Sequence, residues 1–178
     1  MRRSALLTAA VFFLTSSAML WAFEPDTSDE MQLDVAKAIL DVKKSDPGIQ
    51  KFFDGAAGYA VFPTVGKGAI GVGGAHGKGL VIVNDKVIGK TSLSQVTVGL
   101  SLGGQKYSQF IFFRDDVALG HFKRGNYELG AQASAVAVTA GASADADYDK
   151  GVAVFTNVGG GLMADASVGG QKFTYEEL

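Results

Sequence analysis

The sequence contains no cysteine. That excludes disulfides, thiolate metal sites, a cysteine nucleophile and a lipid-modified cysteine behind a signal segment. Histidine is nearly absent too: His76 and His121 are the only two, and without cysteine or an HExxH spacing they build no zinc site. No serine sits in a GxSxG elbow. Proline is scarce, 3 residues against 24 glycines, and that glycine density without a collagen period points to tight turns, bulges and close backbone approaches. Only 19% of the residues are charged and 47% are hydrophobic, so the chain is globular rather than disordered, and 178 residues suffice for one domain with a real core. Nothing here points to an enzyme or to a bound cofactor.

Residues 1–22 read as a secretory signal, with an uncleaved membrane anchor as the other reading because the stretch is nearly long enough to span. Arg2 and Arg3 supply the positive start, residues 5–20 are apolar, and Ala18 or Ala22 offers a small residue at the cut. An exported chain without cysteine fits a bacterial periplasm, held together by its core alone. Residues 23–178 then form a single domain. Charge is distributed in blocks. Residues 55–114 carry Lys67, Lys78, Lys86, Lys90, Lys106 and Arg114 against Asp85 alone, while the segments on either side are net acidic. A basic middle between acidic ends suggests an anionic partner, and equally suits lysines solvating the outer face of a sheet.

The N-terminal part reads as helix. Thr27 with Glu30 three residues later fits a capping box; Met31, Val35, Ile39 and Val42 recur at helical spacing; Lys43 and Lys44 precede the stop at Pro47-Gly48. Such a stripe packs on a domain core more readily than on a membrane. Pro47 opens a second short helix through Phe52-Phe53. From Gly58 the period changes to two. Strands are expected over 59–62, ending at Pro63, then over 69–75, then as a hairpin through Asn84-Asp85, then over 97–102 and 105–113. Asp115-Asp116 caps a short central helix ending at Lys123-Arg124 before Gly125. Strands resume over 127–140, 152–156, 162–168 and 171–175.

One phrase is written twice. Ser101-Leu102-Gly103-Gly104-Gln105-Lys106-Tyr107-Ser108 parallels Ser167-Val168-Gly169-Gly170-Gln171-Lys172-Phe173-Thr174. Two strands around a Gly-Gly turn make a hairpin, and a Gly-Gly bulge in one bent strand is the other reading. Three other motifs fail on context. Residues 66–71 match GxGxxG, but a poor helix follows. Gly89-Lys90-Thr91 lacks the leading glycine of a phosphate loop, because position 84 is Asn. Asp145, Asp147 and Asp149 alternate as in a calcium loop, but Lys150 and Thr156 stand where Gly and Glu belong; they read as a solvated strand end.

Four phrases carry a family resemblance: GYAVFPTVGKGAIGVGGAHGKGLV, TVGLSLGGQKYSQFIFF, NYELGAQASAVAVTAG and GLMADASVGGQKFTY. Together they resemble the SYLF domain family in its bacterial, exported branch, over roughly residues 30–175. The resemblance implies a non-catalytic domain. Eukaryotic relatives bind phosphoinositide-rich membranes and a yeast relative bundles actin; bacterial members are described as lipid-binding envelope proteins, often lipoproteins. The missing cysteine departs from the lipoprotein pattern, and actin has no place in an exported bacterial setting.

The expectation is thus an α+β domain, mostly antiparallel β, with a curled or barrel-like sheet, an N-terminal helix and a short central helix. It binds a lipid or membrane surface of the envelope, with Lys67, Lys78, Lys90 and Lys106 contacting headgroups, and Lys172 added through its repeat relation to Lys106. Another envelope protein, bound through sheet edges or through self-assembly, is the alternative partner. Nucleic acid is not expected, and the oligomeric state is left open.

Overall fold

Helix α1 spans Glu30–Ser45. Its cap is Asp29, not Thr27. The Asp29 carboxylate accepts from the backbone N–H of Met31 at 2.9 Å and of Gln32 at 3.2 Å, and the Gln32 side-chain amide donates back to it at 3.3 Å. One carboxylate oxygen takes both backbone amides and the other takes the Gln32 side chain, and the negative charge suits the positive helix end. The chain ahead of the helix is held separately, by Ser28 bonding to Asp26. Val35, Ala38, Ile39 and Val42 are buried, so the apolar stripe packs on the core as expected. A 3₁₀ turn, Pro47–Ile49, leads into α2, Gln50–Gly55.

The computed structural model describes residues 23–70, 72–98, 103–131, 133–158 and 168–178. The expected leader, and most of the strand expected over 162–168, lie outside the described residues. The remainder is one curled half-barrel sheet with three helices. Its strands are β1 (Gly58–Ile70), β2 (Val72–Val83), β3 (Lys86–Val98), β4 (Gly103–Phe113), β5 (Tyr127–Glu128), β6 (Val136–Ala137), β7 (Val152–Asn157) and β8 (Lys172–Glu177). They lie in the order β5-β8-β3-β2-β1-β4-β7-β6, antiparallel throughout except for β6 beside β7. Between β4 and β5 runs α3, Asp116–Lys123, capped by Asp115 and followed by Gly125 at φ +71°, as its acid-first, base-last pattern predicts.

Four details depart from the sequence reading. The stretch 69–75 is not one strand: β1 ends at Ile70 and β2 begins at Val72, and the two parts pair antiparallel with each other. Pro63 does not end a strand. β1 runs straight through it, and the register against both neighbours slips by one residue between 61 and 65. A bulge is where a strand tolerates a residue without an N–H. Next, Gly103-Gly104 is neither a turn nor a bulge: both residues belong to β4 and pair with Ala69 and Gly68 of β1. Only the second copy turns, with Gly170 at φ +73° and the Gln171 N–H donating to Val168 O at 3.2 Å. Finally, residues 127–140 are not one strand. Residues 127–128 pair with β8 at one edge of the sheet and residues 136–137 with β7 at the other. The chain between them crosses the open side of the half-barrel as a strap. The Asn84-Asp85 hairpin is as expected, with φ of 48° and 60°.

Two cores result, one on each face. On the outer face α1 and α2 cover Tyr59, Val61, Leu80, Ile82, Phe110, Phe112 and Phe155. Phe52 meets Phe155 with ring centroids 4.8 Å apart and Phe53 meets Phe112 at 4.9 Å, both edge to face. On the inner face α3 and the strap enclose Phe62, Val81, Leu93, Ile111, Phe113 and Phe173. Helices therefore cover one half of the long strands' outer face. Among the described residues, no helix covers the half near the β1–β2 junction and the start of β4.

Candidate anion-binding surface

Strand register decides which face each candidate lysine occupies. On β4, Phe110 and Phe112 lie under the helices, so Lys106 and Ser108, at even spacing from them, share that outer face. On β2, Leu80 brings Lys78 and His76 to the outer face. Lys90 lies opposite Leu80, Ser92 opposite Lys78 and Ser94 opposite His76, so β3 adds these three. Lys172, opposite Ser94, and Thr174, opposite Ser92, complete the face from β8.

One level of the sheet thus reads Lys106, Gly66, His76, Ser94, Lys172, Glu128 across six strands. The next level adds Thr64, Lys78, Ser92 and Thr174. The two copies of the repeated phrase therefore place their lysines at opposite ends of one cross-sheet row. At the usual strand spacing they lie about 19 Å apart along the sheet.

Lys67 is not with them. Counting alternate residues from Tyr59 puts it on the outer face, but the bulge at Pro63 reverses the alternation. Val65 enters the inner core, and Lys67, paired with Gln105 and Ala75, follows it to the inner face, half-buried.

The outer lysines have acidic company. Lys172 Nζ is 3.9 Å from Glu128. Lys90 lies directly opposite Glu176. Lys106 borders a groove of about 720 Å³ beneath α1 that also holds Asp34, Lys37, Asp41 and Lys44. Lys78 and Lys90 line a second recess, of about 440 Å³, at the start of α1 beside Asp29, where the hydroxyls of Ser92 and Thr174 bond at 2.7 Å. Exposed pairs of this kind are worth well under ~1 kcal/mol each and are screened by salt. This surface can hold an anion through several weak cationic contacts and hydroxyl donors. Asp145, Asp147 and Asp149 lie outside any strand, and among the described residues no group of three His, Asp or Glu side chains could hold a metal ion.

The sequence reading missed what the second GGQK does. Gly169 lets the turn touch the strap: a Cβ there would sit 2.1 Å from Ala131 O. Gln171 is fully buried and exchanges two bonds with the buried Gln109, at 2.7 and 3.2 Å. Gln95 donates to Gly169 O at 2.9 Å. The amides thus lock turn, strap and sheet together, and only Lys172 is left for the surface. The equivalent Gln105 of the first copy is exposed.

Comparison with known proteins now adds to this geometry. A family model described as "Ysc84: Las17-binding protein actin regulator" matches residues 94–177. Residues 94–177 thus resemble the SYLF family. Beta cell expansion factor A of Aeromonas veronii is 30% identical over 138 residues, which cover 76% of this chain and 52% of that protein. The chain thus spans about half the length of this relative. The SYLF match runs from the end of β3 through β8 and takes in Lys106, Lys172, the strap and the Gln95–Gln109–Gln171 amides.

Proposed function

We propose that the chain is a non-catalytic protein of the bacterial envelope that binds a lipid or membrane surface through anionic headgroups. The observation that carries this reading is the cross-sheet row in which Lys106 and Lys172 flank His76 and Ser94, with Lys78 one level away. Dispersed exposed cations that are individually weak suit a multivalent anionic surface better than one small anion, because a surface can meet all of them at once. A family described as a regulator that binds other proteins supports a binding role over a catalytic one. The signal-like residues 1–22 support export.

Docking through sheet edges, the competing idea, has less support. β5 and β6 each cap part of an edge, and the uncapped end of β8 carries Glu176 and Glu177. Co-sedimentation of the chain with neutral and with anionic vesicles across a salt series tests the proposal. Binding to anionic vesicles only, fading as salt rises, supports it; absence of binding at low salt overturns it.

A further inference from the structure

The recess at the start of α1 carries both signs of charge. Its outer-face residues form a small grid. Lys78, Ser92 and Thr174 lie in one row across β2, β3 and β8, and Leu80, Lys90 and Glu176 lie in the next. Asp29 and Met31 line the recess from the helix side. Directly opposite residues of a sheet sit about 5 Å apart and diagonal ones about 7–8 Å, so the long side chains of Lys78 and Lys90 can converge on one oxyanion. Beside both stands the Ser92–Thr174 hydroxyl pair, bonded at 2.7 Å. One hydroxyl of such a pair donates to the other, and the acceptor keeps its own proton free for a ligand.

Two carboxylates balance the two lysines, and they are not equivalent. Asp29 is already engaged, one oxygen by the Met31 and Gln32 backbone amides and the other by the Gln32 side chain. Glu176 is exposed, and its neighbour Glu177 bridges to Lys123 at 3.2 Å. Among the described residues, none of Lys78, Lys90 and Glu176 stands within ion-pair distance of an opposite charge, although Lys90 and Glu176 face each other. The recess therefore offers cations and a hydroxyl at one end and an available carboxylate at the other.

A simple anion is attracted by the lysines and repelled by Glu176. A molecule whose phosphate and ammonium are joined by a short link is attracted at both ends. The ammonium has to be a primary one, whose N–H groups donate to the carboxylate. A quaternary ammonium has no N–H and is recognised by aromatic rings, and among the described residues no aromatic side chain lines this recess.

We infer that the recess binds a phosphoethanolamine group, with the phosphate on Lys78, Lys90 and the Ser92–Thr174 hydroxyls and the ammonium on Glu176. Carried on a phospholipid, that group is a headgroup, so the inference rests on the membrane reading above and names its lipid class. Soluble glycerophosphoethanolamine presents the same group. Lys106 and Lys172, outside the recess, serve as general contacts to anionic lipid.

Vesicles of phosphatidylglycerol and phosphatidylcholine are compared, on the full chain, with vesicles in which phosphatidylethanolamine replaces the choline lipid at the same phosphatidylglycerol content. Binding to the ethanolamine vesicles is about five-fold tighter, and this preference is lost in Lys78→Gln and in Glu176→Gln and kept in Glu177→Gln. In Glu176→Gln, binding to the choline vesicles holds or strengthens, because a carboxylate beside Lys90 is gone. Equal binding of the two vesicle types by the native chain overturns the inference and leaves the membrane reading standing. A preference that survives Glu176→Gln belongs to lipid packing and overturns it as well. Calorimetry with soluble glycerophosphoethanolamine and glycerophosphocholine separates the sources. Binding of the ethanolamine compound alone, with neither vesicle bound, supports the recess as a site for a soluble ligand and overturns the membrane reading. Unchanged melting temperatures show that the variants remain folded.

Discussion

Asp46 ends helix α1 and is 1% exposed. One carboxylate oxygen accepts from Gly48 N at 3.1 Å and Gly141 N at 3.3 Å, the other from Ser143 N at 2.7 Å. Burial pushes this carboxyl up, but the bonds from Ser143, Gly48 and Gly141 outweigh it and hold it below its ordinary value of 3.8. It ties the helix to the loop around 141–143, which Lys51 also grips through Ala144 O at 3.0 Å. In Asp46→Asn one oxygen becomes an NH₂ that faces an N–H, so at least one buried donor loses its acceptor. A charge-assisted bond lost with a buried donor left unpaired costs roughly 2–3 kcal/mol. In a domain of this size that is roughly 5–10 °C of melting temperature. The pH dependence has a definite sign. Because the folded carboxyl titrates lower than the unfolded one, its stabilisation is complete above the unfolded value and drains away as pH falls through the folded one. The loss thus begins near about pH 5 and deepens towards pH 3. Urea unfolding at pH 7, 5, 4 and 3 measures it: the gap between native and Asp46→Asn is widest at pH 7 and closes on acidification. A variant within about 0.5 kcal/mol of the native chain at pH 7, or a gap constant across the series, refutes the reasoning.

Further expectations concern the glycines and the buried amides. Gly79→Ala brings a Cβ to 2.3 Å from Val61 O and should destabilise by more than about 3 kcal/mol or prevent folding, whereas Gly68→Ala, with open space, should be neutral or stabilise by about 0.5 kcal/mol; thermal melts of the pair decide. Gly169→Ala should free the strap, read as faster amide exchange at Leu129 and Ala133 than in the native chain. Gln171→Leu should cost roughly 2–3 kcal/mol by stranding the Gln109 amide, and Gln109→Leu in the same chain should recover part of it; additive losses in a double-mutant cycle would refute a shared network.

Local chemistry was legible in the sequence; pairing between distant segments was not. The 3.6-residue stripe of α1, the acid cap and terminal bases of α3 and the Asn84-Asp85 turn each write their structure within a few residues. Asp29 took the cap from Thr27 because two plausible capping residues lay within one turn. Pro63 looked like a strand end because the bulge that absorbs it is defined by β2 and β4, not by β1. That bulge also moved Lys67 to the other face, which no count along β1 alone reveals. The alternating residues after Tyr127 look like one strand, but their two ends pair with segments that follow much later in the chain. The two copies of GGQK share a sequence and no turn, because β1 was available to pair with the first glycine pair and the strap occupied the second.

The strap has a consequence for how the molecule comes apart. Residues 127–128 cover part of β8 and residues 136–137 part of β7, so both rims are partly covered from one stretch of chain. Pulling it away at either end slackens the other, and the two unpaired rims become available together to a neighbouring molecule. Partial opening would then create a doubly adhesive particle able to grow chains rather than stop at pairs. Resistance to aggregation therefore depends on how firmly Gly169 and Gln171 pin this single segment.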